Sequence, residues 1–188
     1  MRLFVAVNLP EAERTAVWRA AEPLREAGLK VRWVAEGALH ITIKFLGEVD
    51  ADLAAPIGAA LIEAVRNVRA FELSLVGFGA FPSLERPGVL WFGVDRHPAL
   101  ELLANDVQQA VGPFGFAPTL KPFHPHLTLG RAERDAEPSD FEELGTLAAG
   151  VEYAGVMRID SVDLMQSVLG PGGPTYSVLH RAALLGDS

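Results

Sequence analysis

A short pattern of residues occurs twice in this chain, and both copies are typical of β-strands. His40-Ile41-Thr42-Ile43 is matched in the second half of the chain by His126-Leu127-Thr128-Leu129. Residues i and i+2 of a strand point to the same face, so each copy presents one imidazole and one hydroxyl together. The apolar residues between them point to the opposite face, which suits a hydrophobic core. The fold must therefore accommodate two strands that divide their faces in this way.

Predicted strands and helices follow one another in a similar order around the two copies. Strand patterns occur at residues 2–8, 31–34, 39–46, 71–81, 89–94, 151–165 and 176–185, and helix patterns at 10–27, 53–68, 98–111 and 141–147. We expect Asp50 or Asp52 to cap the second helix. This order indicates an internal duplication, with two α+β lobes that face each other across a cleft. No long Gly/Ser linker separates the halves, so we expect one catalytic domain over residues 1–188 whose lobes share a sheet or a tight interface.

The composition excludes several classes of enzyme and binding site. The chain has no cysteine, which excludes disulfides, a thiolate nucleophile and a Cys-based zinc site. A formal net charge of -8 argues against non-specific coating of nucleic acid, which requires a broad basic surface. A local positive field could still attract an anionic ligand. Cations do concentrate around the two motifs, at Arg32, Lys44, Lys121, Arg131 and Arg134.

No targeting or membrane-spanning segment is evident in the sequence. The apolar run at residues 1–8 is too short for a signal peptide or a membrane span. Uninterrupted apolar stretches of about 18 residues, which a spanning helix requires, do not occur. We therefore expect a cytoplasmic protein that does not bind membranes.

Two histidine–threonine pairs that face each other suit chemistry at a phosphorus atom. Histidine titrates near neutral pH, so one imidazole can act as a base while the other acts as an acid. Threonine hydroxyls and nearby cations can hold the non-bridging oxygens of a phosphate and stabilise developing charge. Pairs on opposite sides of the phosphorus suit in-line displacement. This scheme requires no nucleophilic side chain, metal or nucleotide cofactor, and we predict none.

The remaining histidines fit less demanding roles. His97, ahead of a helix, is predicted to be a loop residue, and His180, in the last predicted strand, to be structural. His124 lies two residues before His126, a spacing that zinc-binding strands also use. A zinc site would need a third ligand. The other motif histidine, His40, is paired with Thr42 rather than with a carboxylate, so a third ligand is not evident. His124 is therefore a candidate substrate contact or a solvated residue at the rim of the cleft.

The two motifs resemble those of a known family of RNA-processing enzymes. Residues 33–47, which contain His40-Ile-Thr-Ile-Lys-Phe-Leu-Gly, and residues 123–131, Phe-His-Pro-His-Leu-Thr-Leu-Gly-Arg, are similar to the RNA 2',3'-cyclic phosphodiesterases. These enzymes, also called 2'-5' RNA ligases, belong to the two-histidine phosphoesterase superfamily. The similarity extends from residues 3–6 to residues 166–176. It implies a bilobal α+β fold with two pseudo-symmetric lobes, mostly antiparallel sheets facing a central cleft, and helices outside.

The resemblance also implies a role for each motif residue. His40 would be the general acid that protonates the departing 3' oxygen, and His126 the general base that activates water. The sequence pattern itself is symmetric and does not distinguish these two roles. Thr42 and Thr128 would bind the phosphate oxygens, and Arg131 would assist in binding phosphate or RNA.

Phe45, at the end of the first motif, has two interpretations. It is a candidate substrate contact, because an aromatic ring beside the site could stack on a base. An apolar strand residue next to Leu46 is more often part of a core. The sequence leaves this choice open.

The substrate implied by the resemblance is an RNA end, tRNA fragments among them, that carries a 2',3'-cyclic phosphate. Hydrolysis would give a 2'-phosphate. If a 5'-hydroxyl end replaced water, the same site would form a 2'-5' linkage without ATP. Two alternatives stay open at this point, namely a small cyclic-phosphate metabolite such as an ADP-ribose cyclic phosphate, and a non-catalytic module that binds RNA ends. We expect the protein to be a monomer.

Overall fold

A single antiparallel sheet organises the part of the chain that the computed structural model describes, residues 1–119, 122–171 and 173–186. Nine strands in these residues pair with one another. They are β1 (Arg2–Asn8), β2 (Val31–Trp33), β3 (His40–Glu48), β4 (Phe71–Pro82), β5 (Pro87–Val94), β6 (His126–Ala132), β7 (Ala154–Ile159), β8 (Ser161–Gly170) and β9 (Gly173–Ala183).

The described residues also form five α-helices. They are α1 (Glu11–Ala20), α2 (Glu22–Glu26), α3 (Ala54–Val65), α4 (Pro98–Val111) and α5 (Leu144–Ala149). The first predicted helix is interrupted at Ala21, and Gly28, with φ 71°, follows its end. The predicted cap on the second helix is wrong. A short 3-10 turn over residues 51–53 precedes α3, and neither Asp50 nor Asp52 caps the helix with its side chain.

The two motif strands are neighbours at the centre of the sheet. The order across the sheet is β7-β4-β5-β6-β3-β1-β8-β9, and β2 pairs with β6. Every ladder between these strands is antiparallel. This arrangement confirms the predicted α+β fold with mostly antiparallel strands, and the sheet is curled into a half-barrel.

One half of the sheet combines strands from both ends of the chain, and the other is built mainly from strands of its middle. The half that contains β3 also contains β1, β8 and β9, whereas β6 lies with β5, β4 and β7. Helix α3 packs against β8 and β9, and α1 packs against β7 on the other half. The halves are joined through β3 and β6, so the two motifs occupy their common boundary. An internal duplication stays a prediction.

One face of the sheet carries the main hydrophobic core. Val5, Ile41 and Leu127 on adjacent strands are fully buried there. Side chains from α3 and α4, such as Ile57 and Leu103, cover this face and are also fully buried. Removal of this apolar surface from water is the main contribution to the stability of the sheet. The motif histidines and threonines therefore lie on the opposite face.

Candidate active site

A cavity of about 640 Å³ lies over the boundary between β3 and β6. Both histidines and both threonines of the motifs line it, together with Arg131. The structure thus brings together the five residues for which the sequence predicted roles in catalysis and phosphate binding. Each motif histidine and threonine is partly exposed, whereas the apolar residue between them is buried. The predicted division of faces is confirmed for both strands.

The register between the motif strands arranges the four polar side chains. Ile41 of β3 pairs with Leu127 of β6. Continuing this antiparallel register by one residue in each direction puts each motif histidine across from the threonine of the other strand. Each threonine hydroxyl is thereby a cross-strand neighbour of the other motif's imidazole.

A backbone carbonyl fixes the tautomer of each motif histidine. The Nδ1 atom of His40 is 2.8 Å from the carbonyl oxygen of Ala38. The Nδ1 atom of His126 is 2.9 Å from the carbonyl oxygen of His124. A carbonyl oxygen can only accept, so Nδ1 carries a hydrogen in both rings. Proton exchange with a ligand is therefore left to Nε2 in both cases.

His40 lies among aromatic rings from strands that are distant in sequence. Its ring centroid is 4.9 Å from that of Phe4 and 5.1 Å from that of Tyr176, which meets it edge-on. Burial in these surroundings lowers the pKa of His40 below its ordinary value. The hydrogen bond to Ala38 opposes this shift, and the positive charge of Arg131 adds to it. These surroundings thus disfavour the imidazolium form of His40.

His126 has an aromatic neighbour from a different part of the sheet. The ring of Phe81 in β4 lies 5.3 Å from the ring of His126, with an interplanar angle of 87°. Phe81 in turn contacts Trp91 of β5, at 5.0 Å between ring centroids. Aromatic rings therefore flank the histidine pair on both sides along the sheet. Motif spacing did not indicate Phe4, Tyr176 or Phe81.

A β-bulge in β3 decides the position of Phe45. Thr42 and Lys44 pair with consecutive residues of β1, so Ile43 is an extra residue in the ladder. An extra residue reverses the alternation of faces beyond it. Phe45 consequently pairs with Phe4 and points into the cavity, where it is 64% exposed. The interpretation of Phe45 as a core residue is wrong.

A bulge at the corresponding point of β6 decides the position of Arg131. Thr128 and Gly130 pair with consecutive residues of β5, so Leu129 is the extra residue. Arg131 therefore returns to the face that carries the second motif, and it lines the cavity. It lies directly across from Arg32 of β2. Like charges in such a pair destabilise a sheet, and a bound anion between them would offset that cost.

Lys44 differs from the other cations near the motifs because its ammonium group is hydrogen-bonded within the protein. It is 8% exposed, and its Nζ donates to the Ala117 carbonyl at 2.7 Å and to the Thr119 hydroxyl at 3.0 Å. The Thr119 backbone N–H donates to the Gln108 side chain at 2.7 Å. Lys44 therefore fastens the segment after α4 to β3 and to the wall of the cavity. Lys121, another predicted member of the positive cluster, lies outside the described residues.

The other histidines occupy three different environments. His124 is exposed and lines the cavity, although β6 begins only at His126. His97 is the N-cap of α4, where its side chain accepts from the Ala99 N–H, and it stacks on Phe71. His180 packs so closely against Gly58 of α3 that a Cβ atom there would lie 2.4 Å from the imidazole. These positions give His97 and His180 structural contacts.

Two general properties of the described residues bear on the site. Within residues 1–119, 122–171 and 173–186, no three His, Asp or Glu side chains are grouped so that they could hold a metal ion. Among the helices in these same ranges, none is long and apolar enough to cross a membrane.

Comparisons with known proteins point in one direction. A family profile described as 2'-5' RNA ligase superfamily matches residues 13–170. The chain is 37% identical to an RNA 2',3'-cyclic phosphodiesterase of Archaeoglobus fulgidus, over 96% of this chain and 98% of that protein. It is 30% identical to the RNA 2',3'-cyclic phosphodiesterase of Thermotoga maritima, over 99% of this chain and 97% of that one.

Solved structures show the same likeness along the whole fold. The TT0787 protein of Thermus thermophilus superposes with a TM-score of 0.82 at 28% identity, covering 100% of both chains. Escherichia coli LigT in complex with 3'-AMP has a TM-score of 0.72 at 30% identity, covering 97% of both chains. These proteins share the sheet on which the two motifs lie.

Proposed function

Because the chain belongs to the 2'-5' RNA ligase superfamily, we propose that it hydrolyses 2',3'-cyclic phosphate ends of RNA to 2'-phosphates without a metal ion. The observation that carries this proposal is the pair of imidazoles in one cavity, each with its Nδ1 bonded to a carbonyl and its Nε2 left to exchange a proton. Two hydroxyls and a guanidinium in the same cavity supply partners for the phosphate oxygens.

The proposed reaction is an in-line displacement at phosphorus. His126 Nε2 takes a proton from water as the water oxygen forms a bond to phosphorus. The bond between phosphorus and the 3' oxygen breaks on the opposite side, and His40 Nε2–H donates a proton to that oxygen. Thr42 and Thr128 donate hydrogen bonds to the non-bridging oxygens, while Arg131 balances their charge. The product is a 2'-phosphate beside a free 3'-hydroxyl.

The bound phosphate prepares His40 for its role as the acid. Burial lowers the pKa of His40, and the Arg131 charge lowers it further. A cyclic phosphate carries one negative charge, which favours the imidazolium form and partly neutralises Arg131. The substrate therefore raises the pKa of His40 on binding. Assignment of the acid role to His40 and the base role to His126 comes from the family resemblance.

The base of the terminal nucleotide has a candidate platform in Phe45. Its ring is 64% exposed at the cavity and lies 6.2 Å from that of Phe4. Base stacking on an exposed aromatic ring is tolerant of sequence. The structure of LigT with 3'-AMP supports a nucleotide of this size as a ligand of the site. His124, exposed at the same cavity, is a candidate contact for the sugar or base.

The decisive experiment identifies the product of a short RNA that ends in a 2',3'-cyclic phosphate. We expect a 2'-phosphate, distinguished from a 3'-phosphate by ³¹P NMR against authentic standards. A 3'-phosphate would mean that the 2' oxygen departs and would contradict the assigned geometry. Binding without any product between about pH 5 and 8, the range over which histidine titrates, would support a non-catalytic RNA-end module instead. A higher kcat/KM for an ADP-ribose cyclic phosphate would transfer the proposal to a small metabolite.

A further inference from the structure

An aromatic surface beside His126 has no part in the hydrolysis described above. We call Phe81 and Trp91 the aromatic shelf. The Trp91 indole lies against the backbone of Gly79, where a Cβ atom would come within 2.4 Å of the ring. It also lies over Gly93, whose Cβ position is 3.5 Å from the indole. Two glycines on neighbouring strands thus leave room for the indole to lie on the sheet, and Phe81 packs on it at 5.0 Å.

Burial of apolar surface does not account for the shelf. Phe81 is 40% exposed, and neither shelf residue belongs to the buried clusters that form the cores. The Trp91 Nε1–H is buried and has no hydrogen-bond partner among the described residues. An unpaired buried donor lowers the stability of the fold, and a phenylalanine would not incur that cost. The shelf therefore presents a large, flat aromatic surface to solvent at some expense in stability.

The position of the shelf relates it to the attacking group. The strand order β4-β5-β6-β3-β1 puts the shelf on one side of His126 and His40 on the other. The shelf residues are not among those that line the cavity around Phe45, whereas Phe81 contacts the ring of His126 itself. In the proposed reaction His126 activates the nucleophile. A water molecule cannot stack on an aromatic ring, whereas the base of a nucleoside can.

We propose that the aromatic shelf binds the 5'-terminal nucleoside of a second RNA end, whose 5'-hydroxyl replaces water as the nucleophile. This inference rests on the proposed function, because it assigns the base role to His126. The 5' oxygen bonds to phosphorus while His126 Nε2 takes its proton. The bond from phosphorus to the 3' oxygen breaks, and His40 protonates that oxygen. The product is a 2'-5' phosphodiester with a free 3'-hydroxyl, and the cyclic ester supplies the bond energy without ATP.

The experiment measures how one donor divides between two nucleophiles. The donor is a short RNA with a 2',3'-cyclic end, and the acceptor is a short RNA with a 5'-hydroxyl. The ratio of 2'-5'-linked product to 2'-phosphate is read within a single reaction, so it does not depend on the amount of folded enzyme. We expect Phe81→Ala to lower this ratio about 5- to 100-fold, because the stacking of one base on an aromatic ring contributes about this much to binding. Phe81→Tyr should retain it.

Phe45→Ala is the matched control. Both residues are exposed phenylalanines near a motif histidine, but Phe81 of β4 contacts the ring of His126, whereas Phe45 of β3 lines the cavity on the donor side. Its removal should raise the KM for the donor in both reactions and leave the ratio within about twofold, because both outcomes share the donor. The half-saturating acceptor concentration should rise in Phe81→Ala and stay constant in Phe45→Ala.

Four results would overturn the role of the shelf. An equal loss of both reactions in Phe81→Ala would mean that Phe81 only supports His126. If Phe81→Ala and Phe45→Ala changed the ratio of 2'-5'-linked product to 2'-phosphate equally, the effect would not be specific to the shelf. A wild-type protein that hydrolyses the donor but never uses the acceptor at any concentration would exclude the acceptor site while the proposed function stands. Absence of hydrolysis itself would refute the proposed function, and the shelf's role with it.

Discussion

At the residue scale, two backbone carbonyls and a set of aromatic rings define what the motif histidines can do. The carbonyls of Ala38 and His124 each accept from an Nδ1 atom, which leaves equivalent Nε2 atoms facing the cavity. The aromatic neighbours of the two rings differ, because Phe4 and Tyr176 surround His40 whereas Phe81 contacts His126. Motifs of the same sequence therefore acquire different surroundings.

Removal of either motif histidine should abolish most of the activity. We expect His40→Ala and His126→Ala each to lower turnover of a 2',3'-cyclic nucleotide about 100- to 10,000-fold, because a positioned general acid or base accelerates a reaction by about this factor. Thr42→Val and Thr128→Val should cost less, about 1–4 kcal/mol of activation free energy, by analogy with lost oxyanion donors. Steady-state kinetics on variants with unchanged circular dichroism provides the measurement. Near wild-type turnover in either histidine variant would exclude the mechanism.

The pH profile should respond to the charge of Arg131. His40 as the acid must be protonated, so kcat/KM falls as pH rises through the pKa of His40. Arg131 lowers that pKa, and Arg131→Gln should therefore move this fall to higher pH, besides raising KM. Arg131→Lys keeps the charge and should keep the profile near that of the wild type. A fall that moves to lower pH in Arg131→Gln would contradict the assignment.

At the element scale, matching bulges give the two motif strands the same design. Ile43 and Leu129 are the extra residues, each directly after the motif threonine. Phe45 and Arg131 then occupy equivalent positions, five residues after their histidines, and both turn into the cavity. The curled sheet thus presents an aromatic ring from one strand and a guanidinium from the other. The aromatic ring can stack on a base, and the guanidinium can bind a phosphate.

Lys44 should control the segment that follows α4. Lys44→Met would remove the donors to Ala117 and Thr119 and free this part of the cavity wall. We expect a several-fold increase in KM with a smaller change in kcat, because the motif histidines and threonines keep their positions. Hydrogen exchange at residues 115–119 should accelerate in the same variant. Unchanged hydrogen exchange at these residues would contradict the proposal that Lys44 holds this segment against β3.

The buried carboxylate of Asp163 and its hydrogen-bond partners should stabilise the half of the sheet that contains β1, β8 and β9. Asp163 is fully buried and accepts from Asn8 at 2.7 Å and from Arg181 at 3.1 Å. Removing one partner of a buried pair costs about 3–5 kcal/mol. The Arg181 side chain is 62% exposed, so water can replace it in part. We therefore expect Arg181→Met to lower the free energy of unfolding by only about 1–3 kcal/mol in urea denaturation.

The double variant Asp163→Asn with Arg181→Met provides the control for this prediction. It removes the buried charge together with its partner, so it should cost less than the sum of the single changes. Strict additivity would show that the two side chains are not coupled.

At the scale of the whole molecule, the global charge and the local charge have opposite signs. The chain carries a formal net charge of -8, yet Arg131 lines the cavity and Arg32 lies across from it. We expect long-range repulsion of a polyanion, combined with local attraction, to favour short RNA ends over extended duplexes. The shared sheet holds both motifs at one boundary, so the cavity does not depend on the docking of two separate domains.

Removal of divalent metal ions should leave the activity intact. The scheme assigns the acid, the base and the neutralisation of phosphate charge to side chains of the chain itself. We expect kcat/KM after dialysis against EDTA to stay within about twofold of its initial value. Abolition by EDTA with recovery on adding Zn²⁺ would revive the His124–His126 zinc alternative.

Local patterns in the sequence determined much of the fold and the centre of the site. Period-2 alternation predicted that each His-Thr pair would share a face, and both pairs do line the cavity. Strand β1 and helix α4 also have the predicted bounds, to within a residue. Such features depend on neighbours within a few residues, which is why the sequence alone was sufficient for them. The break at Ala21 lies just before Pro23, in the first turn of α2, where proline cannot continue the hydrogen bonds of the preceding helix. The predicted aspartate cap is absent because a 3-10 turn over residues 51–53 precedes α3.

Only the tertiary structure decided which side chains surround the histidines. Phe4, Tyr176 and Phe81 come from strands that are far from the motifs in sequence. Phe45 faces the cavity because of a bulge, which is visible only when β3 is aligned with β1. Pairing between distant segments sets both features, and no periodicity within one strand encodes it. The sequence determined the reacting groups, whereas the pairing of the strands determined their environment.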